Sequence, residues 1–170
     1  MGSIGKKIVK ADIKKIITQL NKALADEWLA YYQYWIGAKV VQGPMRAIAI
    51  QELNEHAQEE LDHAVLLTER IIQLGGTPLL SPKEWFTKTN CGYAMPEKGF
   101  DVKSILKQNI KGEQCAIKVY QKIIDFTHNK DIITYNLASK ILEDEVKHEE
   151  DLETILNDVE IFIKKISSKR

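Results

Sequence analysis

Apolar residues recur at alternating steps of three and four along four long stretches of the chain, the spacing of an amphipathic helix rather than of a strand. The first stripe runs Ile13, Ile17, Leu20, Leu24, Glu27, Tyr31, Tyr34, Ala38, Val41, and the second Met45, Ala49, Leu53, His56, Glu60, His63, Leu67, Ile71, Leu74. The third is Val102, Leu106, Asn109, Glu113, Ala116, Tyr120, Ile123, Thr127, and the fourth passes through Thr134, Ala138, Ile141, Glu145, His148, Leu152, Ile155, Val159 and Phe162. These stripes predict helices over about 11–41, 44–74, 101–127 and 131–165, each roughly 40 to 50 Å long at 1.5 Å per residue. Helices of this length bury their stripes against one another, so the expected fold is all-α, a four-helix bundle.

The breaks between stripes set the connections. Gly43-Pro44 ends the first helix and opens the second, Gly75-Gly76 closes the second ahead of Thr77-Pro78, and Asp101 is placed to cap the third. Hairpins between bundle helices need about two to eight residues. Residues 75–100 are far more than that and carry Pro78, Pro82, Pro96 and four glycines. Extended, such a segment reaches about 85 Å, enough to cross the bundle from end to end. Two hairpins joined by a long crossover are therefore expected. Within the crossover, Ser81-Pro82-Lys83-Glu84 has the form of a capping box and predicts a short helix bearing Trp85 and Phe86. The polar start, residues 1–7, is expected to be mobile.

Length and charge narrow the function classes. A chain of 170 residues suffices for a single domain with a sizeable core, and its 24 Lys plus Arg balance 24 Asp plus Glu. No global field therefore recruits nucleic acid or an anionic membrane. No apolar run approaches the ~20 residues of a membrane span, and the Lys-bearing start lacks the apolar core of a secretory signal. A cytoplasmic protein with no membrane partner is the expectation. Cys91 and Cys115 are too few for a disulfide framework, and the absence of Cys-x-x-Cys excludes a zinc ribbon or a rubredoxin-like iron site.

Each stripe holds one glutamate and no Lys, Arg or Asp. Two of these glutamates begin Glu-x-x-His pairs, Glu60/His63 and Glu145/His148, and residues three apart share a helix face. In an antiparallel hairpin, residues equidistant from the turn lie level. The midpoint of 27 and 60 falls on Gly43-Pro44, and that of 113 and 145 falls at Asn129, so Glu27 faces Glu60 and Glu113 faces Glu145. Four buried carboxylates would each cost several kcal/mol unless neutralised. Two divalent cations supply the matching charge, and oxygen-rich donors with one imidazole per metal suit iron or manganese better than copper or zinc. The competing reading is a partly protonated network that only fixes the fold. His56, one turn before Glu60, reads as a second-layer residue, an outer metal site or a satisfied core histidine.

Glu27-x-x-Ala30-x-x-Gln33-Tyr34, the two Glu-x-x-His pairs and Glu113 together resemble the ferritin superfamily, with a bacterioferritin-type di-iron centre, over all four helices. The resemblance implies that Glu60 and Glu145 bridge two irons, completed by Glu27 with His63 and by Glu113 with His148. It also places Tyr34 beside the metals. Haem-binding bacterioferritins carry a methionine directly after the second-helix metal glutamate. That position is Leu61 here, so no haem is expected. The two cysteines and the missing haem ligand resemble a narrower group, the Dps-like thioferritins, in which a bacterioferritin-type site sits inside a Dps-like cage with a cysteine pair nearby.

That likeness implies a ferroxidase that oxidises Fe(II) with peroxide or dioxygen, stores iron and protects against oxidative stress. It also implies redox thiols. Cys115 lies two residues, about 200° of helix, beyond Glu113 and so faces the surface the crossover would pass; disulfide or free thiols both stay open. A homo-dodecameric cage follows from the likeness and from residues 163–170, too short for a fifth helix. Trp85 and Phe86 would then gain burial against a two-fold neighbour or against their own bundle. Two rival functions remain: a di-manganese catalase on the same ligands, and a non-enzymatic DNA-binding bundle using Lys6, Lys7, Lys10, Lys14 and Lys15.

Overall fold

The computed structural model describes residues 2–168; Met1, Lys169 and Arg170, at the ends of the polar start and tail, lie outside them. Six helices follow one another: α1 Ser3–Lys7, α2 Ile13–Val40, α3 Arg46–Gln73, α4 Pro82–Lys88, α5 Val102–Thr127 and α6 Ile132–Ser167. Among the described residues there is no strand, and a lone bridge pairs Gln42 with Asp101. The four long helices form the bundle. The segment expected to be mobile instead contains α1.

Helix ends follow local chemistry. Asp12, Asp101 and Asp131 cap α2, α5 and α6, each carboxylate accepting a backbone N–H of the first turn. The second long helix begins at Arg46 rather than Pro44 because Met45 is left-handed, with φ 61°, and cannot belong to it. At the other end of α3, Gly75 takes φ 80° while the Gly75 and Gly76 N–H groups return to the Ile72 and Ile71 carbonyls. A Cβ on Gly76 would lie 2.8 Å from Ile17 Cγ2, so that close approach requires glycine. It also explains a local error in the first stripe: Ile17 packs under the crossover, half-buried, and Ile16 takes the fully buried position. Phe162, expected to face inward, is 42 % exposed, because α6 outruns its partners there.

The crossover runs along α2 from its start to its end. Asn21 Nδ2 donates to the Thr77 carbonyl, Asp26 receives residues 89–91, Gln33 Oε1 accepts the Ala94 N–H, and Gln42 N–H meets the Phe100 carbonyl. The successive α2 partners rise with the crossover numbers. Consequently α5 starts where α2 ends, and the two lie antiparallel. Along the way Ser81 and Glu84 close the capping box that starts α4. Trp85 stacks on Trp28 of its own bundle, ring centroids 5.1 Å apart, whereas Phe86 stays 63 % exposed. Within the chain, Trp85 thus packs on its own bundle and is half-buried there.

Two apolar clusters, one toward each end of the bundle, flank a polar middle layer. Leu20, Leu67, Tyr120 and Ile141 belong to the first, and Tyr34, Leu53, Leu106 and Leu152 to the second. No helix of the described residues is long and apolar enough to cross a membrane.

Candidate metal centre

Glu27 of α2, Glu60 and His63 of α3, Glu113 of α5, and Glu145 and His148 of α6 converge in that middle layer, all buried. His63 Nδ1 lies 3.5 Å from Glu27 Oε2, 3.6 Å from Glu60 Oε2 and 3.3 Å from Glu145 Oε1. His148 Nδ1 lies 3.4 Å from Glu60 Oε1, 3.8 Å from Glu113 Oε2 and 3.6 Å from Glu145 Oε2. Glu60 and Glu145 thus turn one oxygen toward each imidazole. Two four-residue groups result, Glu27/Glu60/His63/Glu145 and Glu60/Glu113/Glu145/His148, with donor atoms of each within 4.8 Å of one another.

A second layer crosses between the hairpins with the same approximate two-fold symmetry. The Tyr34 hydroxyl on α2 donates to Glu113 on α5, and the Tyr120 hydroxyl on α5 donates to Glu27 on α2. His63 Nε2 on α3 pairs with Asp144 Oδ2 on α6 at 3.1 Å, and His148 Nε2 on α6 pairs with Glu59 Oε2 on α3 at 2.6 Å. A carboxylate on Nε2 holds the proton there and leaves the Nδ1 lone pair facing inward, the arrangement of a carboxylate–histidine–metal relay. Sequence reasoning singled out Tyr34 and missed Tyr120, Glu59 and Asp144. The signals were present: Tyr120 follows Glu113 by the same seven residues that separate Tyr34 from Glu27, and an acid directly precedes each Glu-x-x-His.

Electrostatics mark the layer as unfinished by protein atoms alone. Each of the six central side chains keeps at least one buried oxygen or nitrogen without a hydrogen bond, including both Glu145 oxygens and both Nδ1 atoms. Buried polar atoms in native proteins are more than about 90 % partnered, so a cluster of unpaired atoms aimed at common points fits missing cations. Burial, reinforced by Glu145, pushes the Glu113 carboxyl up to about 8, and burial with Glu145 and Glu27 raises Glu60 well above the usual carboxylate range. Burial would lower both histidines, but the glutamate oxygens that face each Nδ1 at 3.3–3.8 Å raise them far above the ordinary imidazole range. Glu145 runs the other way. Burial lifts it, and the facing His148 and His63 ring nitrogens outweigh that and hold it well below the usual carboxylate range. In the metal-free protein, protons stand in for the charge that cations would bring.

A cleft of about 340 Å³ opens between α2, α5 and the crossover and reaches Glu27, Glu60, Glu113 and Glu145. Its rim includes Ala94 and Met95 of the crossover and Lys107 and Lys111 of α5. The crossover is anchored here by Asp26, whose buried carboxylate accepts the Thr89 hydroxyl, the Asn90 and Cys91 N–H groups and the Asn90 amide. Cys91 is joined to Cys115 of α5 in a disulfide, Cα atoms 5.7 Å apart. Asp26 was not anticipated, because its partners lie more than 60 residues away.

The other singled-out residues divide by location. His56 stacks on His148, centroids 4.0 Å apart, and packs edge-on to Tyr34. Burial, then the charge on His148, pushes its pKa down to about 3. Leu61, at the haem-methionine position, is half-buried on α3. Lys6, Lys7, Lys10, Lys14 and Lys15 are all exposed around α1 and the start of α2.

Comparison with known proteins places this geometry. A family model described as a ferritin-like domain matches residues 17–162. Of solved structures, the chain is similar to a dodecameric thioferritin, the bacterioferritin-related protein of Bacteroides fragilis. The TM-score is 0.93 and the identity 48 %, covering 96 % of this chain and 98 % of that one. It is 35 % identical over 146 residues to the DNA protection during starvation protein of Pyrococcus furiosus, 85 % of this chain and 78 % of that protein. To the bacterioferritin of Rhodobacter capsulatus it is 29 % identical over 142 residues, 82 % and 81 % of the two chains. With the family model spanning all four long helices and the thioferritin matched nearly end to end, the chain belongs to the ferritin-like family.

Proposed function

We propose that this protein is a ferroxidase and iron-storage protein that takes Fe(II) as substrate at the paired centre and protects against oxidative damage. The observation that carries the reading is the reciprocal donor set: Glu60 and Glu145 each offer one oxygen to each of two groups, completed by Glu27 with His63 and by Glu113 with His148. Two Fe(II) ions supply the four positive charges that this layer lacks, and oxygen-rich donors with a single imidazole per ion suit that metal. Each iron gives one electron. Peroxide taking up two electrons and two protons yields two waters, leaving Fe(III) for storage.

The protein's part is to bind and orient. Asp144 and Glu59 hold the imidazoles with Nδ1 inward, and the Tyr34 and Tyr120 hydroxyls fix the rotamers of Glu113 and Glu27. The cleft between α2 and α5 admits the ion and the oxidant, while the flanking apolar clusters keep bulk water from the layer. The likeness to a dodecameric thioferritin supports a homo-oligomeric cage, with exposed Phe86 on α4 available to a neighbour. Stopped-flow oxidation of Fe(II) tests the activity, with peroxide and dioxygen compared as oxidants. Saturating oxidation of two Fe(II) per chain is expected, whereas evolution of oxygen from peroxide without net Fe(II) oxidation would favour a catalase. Light scattering tests the cage, whose mass should be about twelve times the 19.4 kDa chain.

A further inference from the structure

The cleft that reaches the paired centre is far larger than an ion and hydrogen peroxide need. Its volume of about 340 Å³ falls in the range of about 300 to 1,000 Å³ typical of sites that hold organic ligands. Hydrogen peroxide is little larger than water, whose share of the liquid is about 30 Å³. At the floor, Glu27, Glu60, Glu113 and Glu145 are buried and each keeps an oxygen without a hydrogen bond, so the cleft ends on the reactive layer itself.

The walls are built for that width. Gly112 lies inside α5, directly before Glu113, and lines the cleft. Glycine in a helix interior costs about 1 kcal/mol relative to alanine. Packing does not call for it here: a Cβ on Gly112 would meet only Gln33 Nε2, at 3.8 Å, an ordinary contact, and its φ is not positive. What the missing side chain does is widen the cleft, and Ala30 and Ala116 continue the same apolar wall. The facing wall is held in place. Gln33 Oε1 accepts the Ala94 N–H, Gln108 Nε2 donates to the Ala94 carbonyl, and the disulfide with Asp26 fixes residue 91 just before. Met95 follows at the mouth, 78 % exposed, and an unbranched thioether adapts to apolar groups of differing shape.

We propose that the cleft is a subsite for organic hydroperoxides, its walls at Gly112, Ala30, Ala94 and Met95 seating the apolar group while the peroxide end meets the floor. This activity rests on the ferroxidase reading and extends it to a further class of oxidant. The O–O bond of ROOH breaks, two Fe(II) give one electron each, and two protons enter from solvent. One ROH and one water leave, and the iron is left as two Fe(III).

Cumene hydroperoxide is the probe, because its fate reports the mechanism: two-electron cleavage gives 2-phenyl-2-propanol, whereas one-electron cleavage by free iron releases a radical that fragments to acetophenone. Anaerobic stopped-flow with the whole protein should show two Fe(II) oxidised per cumene hydroperoxide, with the alcohol as product. Gly112→Leu narrows the cleft and favours the helix. It should lower the ratio of the cumene hydroperoxide rate to the hydrogen peroxide rate by about 10-fold or more. Co(II), which stands in for Fe(II) without its rapid oxidation by air, should still bind that variant at two per chain by equilibrium dialysis. A readout free of iron is the soak of metal-free crystals in 2-phenyl-2-propanol, which should seat between Gly112 and Met95. Reaction with hydrogen peroxide but not with cumene hydroperoxide, acetophenone as the main product, equal slowing of both oxidants in Gly112→Leu, or an empty cleft at saturating alcohol each overturns the subsite and leaves the ferroxidase reading standing. Failure of both peroxides to oxidise Fe(II) overturns the ferroxidase reading, and the organic activity falls with it.

Discussion

Two buried polar clusters join α3 to α6, and they are finished to different degrees. Near the bundle end, Arg70 Nη2 donates to Asp131 Oδ1 at 2.9 Å and Oδ2 at 2.8 Å, Nε donates to Thr134 Oγ1, and Nη1 reaches Gln73. Burial lifts the Asp131 carboxyl, but hydrogen bonds from Thr134 and Arg70 outweigh it and keep it below the usual range. Every charge there is answered by protein. In the middle layer the same two helices contribute Glu60, His63, Glu145 and His148, all with unpartnered donor atoms. The difference teaches how to tell a structural ion pair from the proposed ligand site: both are buried, and what separates them is whether the protein completes the hydrogen bonding itself.

The largest effect that sharpens this contrast is loss of function without loss of fold. Glu60→Ala or Glu145→Ala should abolish paired-ion binding and rapid Fe(II) oxidation, while the metal-free melting temperature stays level or rises because repulsion is relieved. Stopped-flow kinetics and thermal melts on the same samples check it; wild-type rates in both variants would break the comparison. Asp131→Ala should behave in the opposite way. Leaving Arg70 buried and unpaired costs about 3 to 5 kcal/mol of stability, read by denaturant melts, with the stoichiometry of bound ions unchanged.

Next in size is the disulfide. Its ends are 24 residues apart in sequence, and the chain-entropy argument assigns such a loop about 3 kcal/mol. Cys91→Ser should lower stability by that order, and an unchanged denaturation midpoint would show that Asp26 alone anchors the crossover. A smaller effect is expected in the second layer, where Glu59→Gln or Asp144→Asn should weaken Co(II) binding by about 10- to 100-fold. Equal affinity would mean that the histidines need no carboxylate behind them.

The last prediction concerns pH. Glu113 is raised to about 8, so in the metal-free protein it carries a proton below that value and the incoming ion must displace it. Co(II) affinity should therefore climb as pH rises from about 6.5 to 8.5, with protons released on binding. The sign for stability is opposite. A carboxyl whose folded value exceeds its unfolded value of 4.5 stabilises the folded state at low pH, and that contribution fades as pH rises toward 8. Calorimetry in buffers of different ionisation enthalpy measures the proton count, and pH-independent affinity would contradict the coupling.

The bundle and the six central residues were legible in the sequence for one reason. A glutamate in the middle of an apolar stripe violates the pattern, and four such violations fell level across two hairpins. What escaped notice lay off the stripes or matched them too well. Glu59 and Asp144 sit at the stripe edge, half-buried, where acids are ordinary. Tyr120 fits its stripe as plain core and gives no sign of its hydroxyl bond. Asp26 and the Arg70–Asp131 pair depend on contacts between distant segments, which periodicity does not encode. The start of α3 moved because a left-handed Met45 is a property of backbone geometry rather than of hydropathy.

The central claim, that the middle layer is completed by two cations, is tested most directly by anomalous scattering from crystals soaked in Fe(II) without oxygen. Two iron peaks per chain are predicted there, one within reach of Glu27, Glu60, His63 and Glu145 and the other within reach of Glu60, Glu113, Glu145 and His148. A layer that stays free of iron at saturating Fe(II), with its carboxylates and imidazoles unmoved, would contradict the account and leave a protonated network whose role is to hold the bundle together.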